Sequence, residues 1–364
     1  MAAKSDLLRL LEQLLSLPTA PFHERFVSSF LCAELKAGGI DFLLDEYGNI
    51  VATDGGSECL LACVAHMDHP GFEIIHATAT TAEAAWYGGV DAKYFIGARV
   101  VIYDRASGAI RARGTIATIT KDPLGRVEKM ALSVNGRVET GDFGTWNLAP
   151  YRRQGELIHT KGADDLVGCA AILTMLKELK RRGLKKGIRA VFTRAEEQGF
   201  IGTLGMIRGG ALRQSAKIIS VETSKALPGV VLGGGPVIRL GDRASMFDHR
   251  MVVFMDRVAR ELQKGDKSFR FQRRVMDGGT CEATPYQLSG HVSGGVAIPL
   301  RNYHNQGTTR IGAEGVHIKD VEGAVRFLVE MAIRPEDFES ATEELRRRIE
   351  SGWVKYGGRL LKKE

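Results

Sequence analysis

No Cys-x-x-Cys pair occurs in the chain, and its cysteines, Cys32, Cys59, Cys63, Cys169 and Cys281, are odd in number. That pattern favours a reducing cytoplasm with no disulfide framework. Four of the five sit in apolar stretches and read as small packing residues. No apolar run approaches the roughly 20 residues of a membrane-spanning helix. The leucine-rich start, MAAKSDLLRLLEQLLSLP, is broken by Arg9, Glu12 and Gln13. It reads as an amphipathic helix rather than a secretion signal. The net charge is +7, but no aromatic residues interleave the basic runs KRRGLKK (180–186) and RRR (346–348). Those runs read as helix ends facing the negative pole of the dipole, not as a nucleic-acid surface. Internal repeats and low-complexity linkers are also absent. The expectation is a soluble cytoplasmic protein with neither nucleic acid nor membrane as a partner.

What is present is a chain of 364 residues, 44% apolar and 26% charged. It is long enough for one large α/β domain with a second module. Helices are expected at 6–17, 24–37, 165–182, 199–208, 246–263, 318–333 and 335–351. Continuous apolar runs at 59–66, 188–193, 217–221 and 294–300 read as buried strands. DEYGN (45–49) reads as a turn between two short strands. Strands alternating with helices give the fold class: α/β, a mostly parallel sheet sandwiched by helices. Residues 73–157 differ. Short Val-, Ile- and Thr-rich runs with glycine turns and no helix signal predict an inserted small β-barrel domain. Residues 1–72 and 158–364 then form the catalytic domain.

In a parallel sheet, ligands bind at the carboxyl ends of the strands. Each predicted core strand or following helix carries a polar group there: His66 with Asp68, Asp164 with Asp165, Glu196 with Glu197, Glu222, and His304. Any one of these alone reads as a cap, a solvated carboxylate or a packing histidine. Together they do not, because converging carboxylates repel unless a cation lies between them. Imidazole with carboxylate suits a divalent transition metal, and so many ligands suit two metals about 3.5–4 Å apart.

HMDHPGF (66–72), GADDLVGCAAIL (162–173), RAEEQGFIG (194–202), ISVETS (219–224), GGTCEATPYQLS (278–289) and AIPLRNYHN (297–305) occur in that order. The ordered set resembles the tetrahedral aminopeptidases, co-catalytic di-metal peptidases of the glutamyl or deblocking type, over nearly the whole chain. The resemblance implies the di-zinc peptidase/phosphorylase-like sheet and the inserted barrel as a dimerisation domain. It also implies a homo-oligomer, either a dimer or twelve subunits built from dimers. It further implies His66, Asp164, Glu197, Glu222 and His304 as metal residues, with Asp164 bridging. Asp68 is implied to orient the ring of His66, and Glu196 to act as general base and acid. Two divalent ions per subunit are implied, zinc or cobalt, with manganese a third choice. Four positions depart from the family pattern: His69, Leu166, Glu222 and Cys281 replace Glu, Arg, Asp and Asp. These leave a full ligand set and alter the pocket.

Other features carry less. Cys281 reads as structural or pocket-lining, GGGP (233–236) as a turn, and His69 as loop packing. His249 and His317 fall at a helix, away from the site. The expected function is a metallo-aminopeptidase acting on short peptides, with a water activated by two metals and Glu196 as base. The alternatives are a di-metal deacylase or carboxypeptidase on an N-acyl or other amide, and a non-catalytic relative.

Overall fold

The computed structural model describes residues 2–361. An eleven-stranded sheet runs through the body. At its centre Ile188–Thr193, Leu61–His66, Lys217–Lys225 and Ser293–Arg301 lie side by side, all parallel. Leu61–His66 is buried at every position. Both its faces are covered, so the run is continuously apolar rather than alternating. The antiparallel strands lie at the flanks. Ile50–Thr53 and Phe42–Leu44 flank one side, and Glu314–His317, Leu157–Thr160 and Tyr151–Gln154 the other.

Helix Leu166–Arg181 packs on the sheet and buries most of its surface. Asp165 caps its start by accepting the Gly168 N–H at 3.1 Å, and Lys180 and Arg181 sit in its last turn. Its end charges therefore oppose the helix dipole. Helices Ala2–Ser16, Arg25–Ala37, His249–Gly265 and Ile318–Ala332 share one buried core with it, and Ile201–Gly209 and Ala283–Leu288 pack against the opposite-facing residues of the central strands. No helix among the described residues is long and apolar enough to cross a membrane.

Between His66 and the helix at 166 the chain forms a closed six-stranded barrel, from Gly71–Ala77 to Phe143–Trp146. Trp86, Phe95 and Trp146 fill its interior, with ring centroids 4.7–5.3 Å apart. Along 130–135 buried and outward positions alternate, as an inward–outward strand requires. The barrel is shorter than the expected 73–157. Tyr151–Gln154 joins the large sheet instead, pairing with Leu157–Thr160.

Further elements were not read from the sequence. Val237–Asp242 pairs with Ser293–Arg301 and with Gln272–Met276, and a short helix spans Ala283–Leu288. Gln272–Met276 reads QRRVM and is mostly outward-facing, so it carries no apolar signature. The GGGP stretch is a turn, and the Gly233 and Gly235 N–H groups both donate to Asp320, at 2.7 Å.

Candidate metal centre

The carboxyl ends of the parallel strands deliver His66 and Glu222 directly and His304 just beyond the strand. Asp164 stands two residues before the helix at 166, and Glu196 and Glu197 lie in a short 3-10 turn after Thr193. All five expected metal residues and Glu196 come together. The two oxygens of Asp164 face two different imidazoles. Oδ1 lies 3.6 Å from His66 Nε2, and Oδ2 lies 3.5 Å from His304 Nε2. Glu222 Oε2 is 3.9 Å from His66 Nε2, and Glu197 Oε1 is 2.9 Å from His304 Nε2. Among the described residues three triads have ligand atoms within 4.8 Å of one another: His66, Asp164 and Glu222; Asp164, Glu197 and His304; and His66, Glu196 and Glu197. Glu196 Oε2 lies 3.9 Å from His66 Nε2.

The far ring nitrogens fix this orientation. His66 Nδ1 donates to the Asp68 carbonyl at 3.1 Å, and His304 Nδ1 donates to the Gly89 carbonyl at 2.8 Å. Each imidazole therefore turns Nε2 toward the cluster, the arrangement of a metal-binding histidine with an outer partner. Gly89 belongs to the inserted region, so the barrel side completes the site. The Asp68 carboxylate does something the sequence did not suggest. It accepts the backbone N–H groups of Glu196 and Glu197, both at 3.0 Å, while its Oδ1 stays 3.6 Å from His66 Nδ1. The His66 ring is held by the Asp68 carbonyl, and the side chain holds the two-glutamate turn.

Asp164 is held from three directions. Glu314 Oε2 accepts the Ala163 and Asp164 N–H groups at 2.6 and 3.2 Å. His69 Nδ1 donates to the Asp164 carbonyl at 2.6 Å, and the Thr223 hydroxyl donates to the Ala163 carbonyl at 3.0 Å. His69 thus faces the backbone of Asp164 and the Asn305 side chain, not the cluster. Leu166 is buried at the start of its helix. Cys281 is buried too, and burial pushes its thiol well above the ordinary range, which removes it as a nucleophile. Its neighbour Glu282 accepts the hydroxyls of Thr193 and Thr203, at 2.5 Å each, beneath the site. His317 caps the helix at 318, accepting the Lys319 N–H at 3.2 Å.

The electrostatics point to missing positive charge. Burial alone would lower both imidazoles. Glu196, Asp164 and Asp68 around His66, and Glu197 and Asp164 around His304, outweigh it and raise both well above the usual value. Burial would raise Asp164, but His304 and His66 hold it below the ordinary carboxylate range. Glu196 is raised well above that range, by burial first and then by Glu222 and Glu197. Burial lifts Glu222 to about 8, against the pull of His66 and of the buried Arg239. Glu197 Oε1 and His304 Nε2 are buried and 2.9 Å apart, yet neither makes a hydrogen bond. Buried polar atoms without partners are rare, and carboxylates packed this closely need a cation. The residues fit divalent metal: a carboxylate with both oxygens committed, flanked by two imidazole–carboxylate pairs.

The cluster opens into a cleft of about 390 Å³ between the sheet and the barrel. Trp86, Gly89 and the hairpin tip near Arg126 line one wall, and Phe200, Thr280 and Tyr303 the other. Larger surface grooves around Lys267 and around Arg310, of about 520 and 610 Å³, hold none of the cluster residues.

Sequence reasoning missed several supporting residues: Glu24, Asn49, Arg194, Glu282 and Glu314. Asn49, Arg194 and Glu282 had left a signal, inside DEYGN, RAEEQGFIG and GGTCEATPYQLS, and Glu24 and Glu314 had left none. Asn49 Oδ1 accepts the Arg194 N–H at 3.0 Å, so the DEYGN turn braces the segment leading to Glu196.

Known proteins give concordant findings. The family model of the M42 glutamyl aminopeptidases matches residues 48–327. A putative aminopeptidase of Acetivibrio thermocellus is 24% identical over 346 residues, covering 90% of this chain and 98% of that protein. Among solved structures, a TET aminopeptidase from a marine sediment archaeon of the Thaumarchaeota superposes with a TM-score of 0.77 at 20% identity, covering 92% of this chain and 99% of that one. The TET1 peptidase of Pyrococcus horikoshii, which can assemble into a tetrahedron or a large octahedral shell, superposes at 0.74 and 21% identity, covering 90% and 99%. At such identities the superpositions establish the fold.

Proposed function

The chain belongs to the M42 glutamyl aminopeptidase family and is a peptide hydrolase, and from that premise we propose that it removes N-terminal residues from short peptides at the centre described above. His66, Glu222 and Asp164 would hold one divalent cation, and His304, Glu197 and Asp164 a second, with zinc or cobalt the favoured ions. Such ions, when bound, make water acidic enough to attack at neutral pH and polarise the scissile carbonyl.

The remaining chemistry lies in the chain itself. Glu196 takes a proton from the attacking water on its carboxylate and returns it to the nitrogen of the leaving amine. Its burial supports this, because burial raises the proton affinity of a carboxyl that must take up a proton. Asp68 holds the Glu196 and Glu197 amides, so the two side chains diverge from a fixed turn. The cleft of about 390 Å³ beside Glu196, Glu197 and His304 gives a peptide end access to the cluster. The observation that carries the reading is Asp164, with one oxygen toward each imidazole.

We assign the barrel a role in dimerisation, and expect the chain to be a homo-oligomer in the cytoplasm. All five cysteines are free, as a reducing compartment requires. Ile96 and Ile110, at opposite ends of one strand pair of the barrel, are exposed and serve as probes of that face. The test of function is a panel of free and N-acetylated peptides, assayed with added cobalt or zinc and with chelator. Metal-dependent release of the N-terminal residue from free peptides alone is expected. Cleavage confined to the acetylated set would replace the reading with a deacylase.

A further inference from the structure

Three consecutive backbone N–H groups in the two-glutamate turn end on carboxylates. Asp68 takes those of Glu196 and Glu197. The third, of Ala195, goes to Glu24, some 170 residues away at the start of helix Arg25–Ala37, where Oε1 accepts it at 2.9 Å. The same oxygen accepts the Phe22 N–H at 2.8 Å, and Oε2 accepts Arg194 Nε at 2.8 Å. Glu24 is fully buried. Arg194 spreads the connection further, donating to the carbonyls of Tyr47 and Phe22, both at 3.1 Å. Ala195 and Phe22 both have positive φ, 48° and 71°. Non-glycine residues hold that conformation only against a steric penalty, so something outside the turn must keep them there.

We propose that Glu24 and Arg194 are positioning residues for the reaction: Glu24 fixes Ala195 in its left-handed conformation and so aims Glu196 and Glu197 into the cluster, with Arg194 holding Glu24 in place. The helix pair at the N-terminus is thereby part of the active-site frame. Glu24 touches neither substrate nor metal. It acts through the backbone, as Asp68 does. Its charge matters as well as its shape, because a Gln at 24 would keep an acceptor for Ala195 and Phe22 but turn an N–H₂ toward Arg194 Nε. This inference rests on the roles proposed for Glu196 and Glu197.

The test uses the full chain with Glu24→Gln and Arg194→Lys. Hydrogen exchange, followed on metal-free protein, is expected to speed up in the peptide spanning 193–200 and stay unchanged across Leu61–His66. At saturating metal, kcat on a free dipeptide should fall about 10–100-fold for Glu24→Gln, the usual scale for a group that orients a metal ligand. KM should stay within about threefold, because substrate contacts are intact. Arg194→Lys, which keeps the charge and loses the fork, should fall between this and wild type. Unchanged exchange at 193–200, or full kcat in both variants, overturns the proposal. If Glu24→Gln fails to fold, Arg194→Lys decides alone: a fall in kcat at constant KM and melting temperature supports it, and full kcat refutes it. A wild-type chain without activity would count against the proposed function, and the metal-free exchange would still judge this inference.

Discussion

At Asp164 one side chain faces two imidazoles, and at Lys161, three residues earlier, a cation sits where none is welcome. Lys161 is buried, and its charged group meets Tyr103: its Nζ donates to the hydroxyl at 3.2 Å and lies over the ring at 5.0 Å. Burial pulls its pKa from 10.5 down to about 7. Between those values the unfolded chain binds a proton that the folded one has released, so stability rises with pH across that window. Below pH 7 the full penalty applies. Lys161→Met should therefore stabilise the fold by about 2–4 kcal/mol near pH 7, after allowing for the lost Tyr103 hydrogen bond. The gain should fade toward pH 10. Urea unfolding at pH 6, 7, 9 and 10 measures this, and a variant less stable than wild type at every pH contradicts it.

Among elements, the turn from Thr193 into helix Ile201–Gly209 carries the most consequence. Gly202 lies in that helix, where alanine would ordinarily gain about 1 kcal/mol. Here a Cβ would stand 2.4 Å from the Arg194 carbonyl and 2.5 Å from Asn49 Oδ1. Neither can retreat, because Asn49 also binds Asp45 and the Arg194 N–H. The sign should reverse. Gly202→Ala is expected to destabilise by about 1–3 kcal/mol, as overpacking does, and to lower turnover. A melting temperature at or above wild type would show that the turn is looser than this. The same turn marks the limit of what the sequence revealed. His66, Glu197, Glu222 and His304 were legible as candidates because each follows or ends a buried run, where a polar residue stands out, and Asp164 because it precedes a buried helix; the resemblance divided their roles. Glu24 and Glu314 were not, since they act through backbone N–H groups remote in sequence, which leave no spacing to read. The central strands were legible from continuous apolar runs. Gln272–Met276 was not, because an edge strand with polar side chains looks like a loop. The barrel was legible by its alternation, but its end was not, because Tyr151–Gln154 has the same strand character and pairs elsewhere.

For the whole molecule, the sheet supplies the cluster and the inserted side supplies Gly89 and one wall of the cleft. Light scattering should report a homo-oligomer of even subunit number, and Ile96→Glu with Ile110→Glu should shift it to smaller species. A monomeric intact chain contradicts the assembly. The central claim is the division of labour between Glu196 and Glu197, side by side in one turn. Its most direct measurement is metal content beside turnover for Glu196→Gln and Glu197→Gln, prepared in parallel. The account predicts that Glu196→Gln keeps its metal and loses about two to four orders of magnitude in turnover, the scale of general acid–base work. Glu197→Gln should bind metal more weakly and recover in part with excess metal. Metal loss in the Glu196 variant alone would reverse the two roles, and full activity in both would remove the pair from the chemistry.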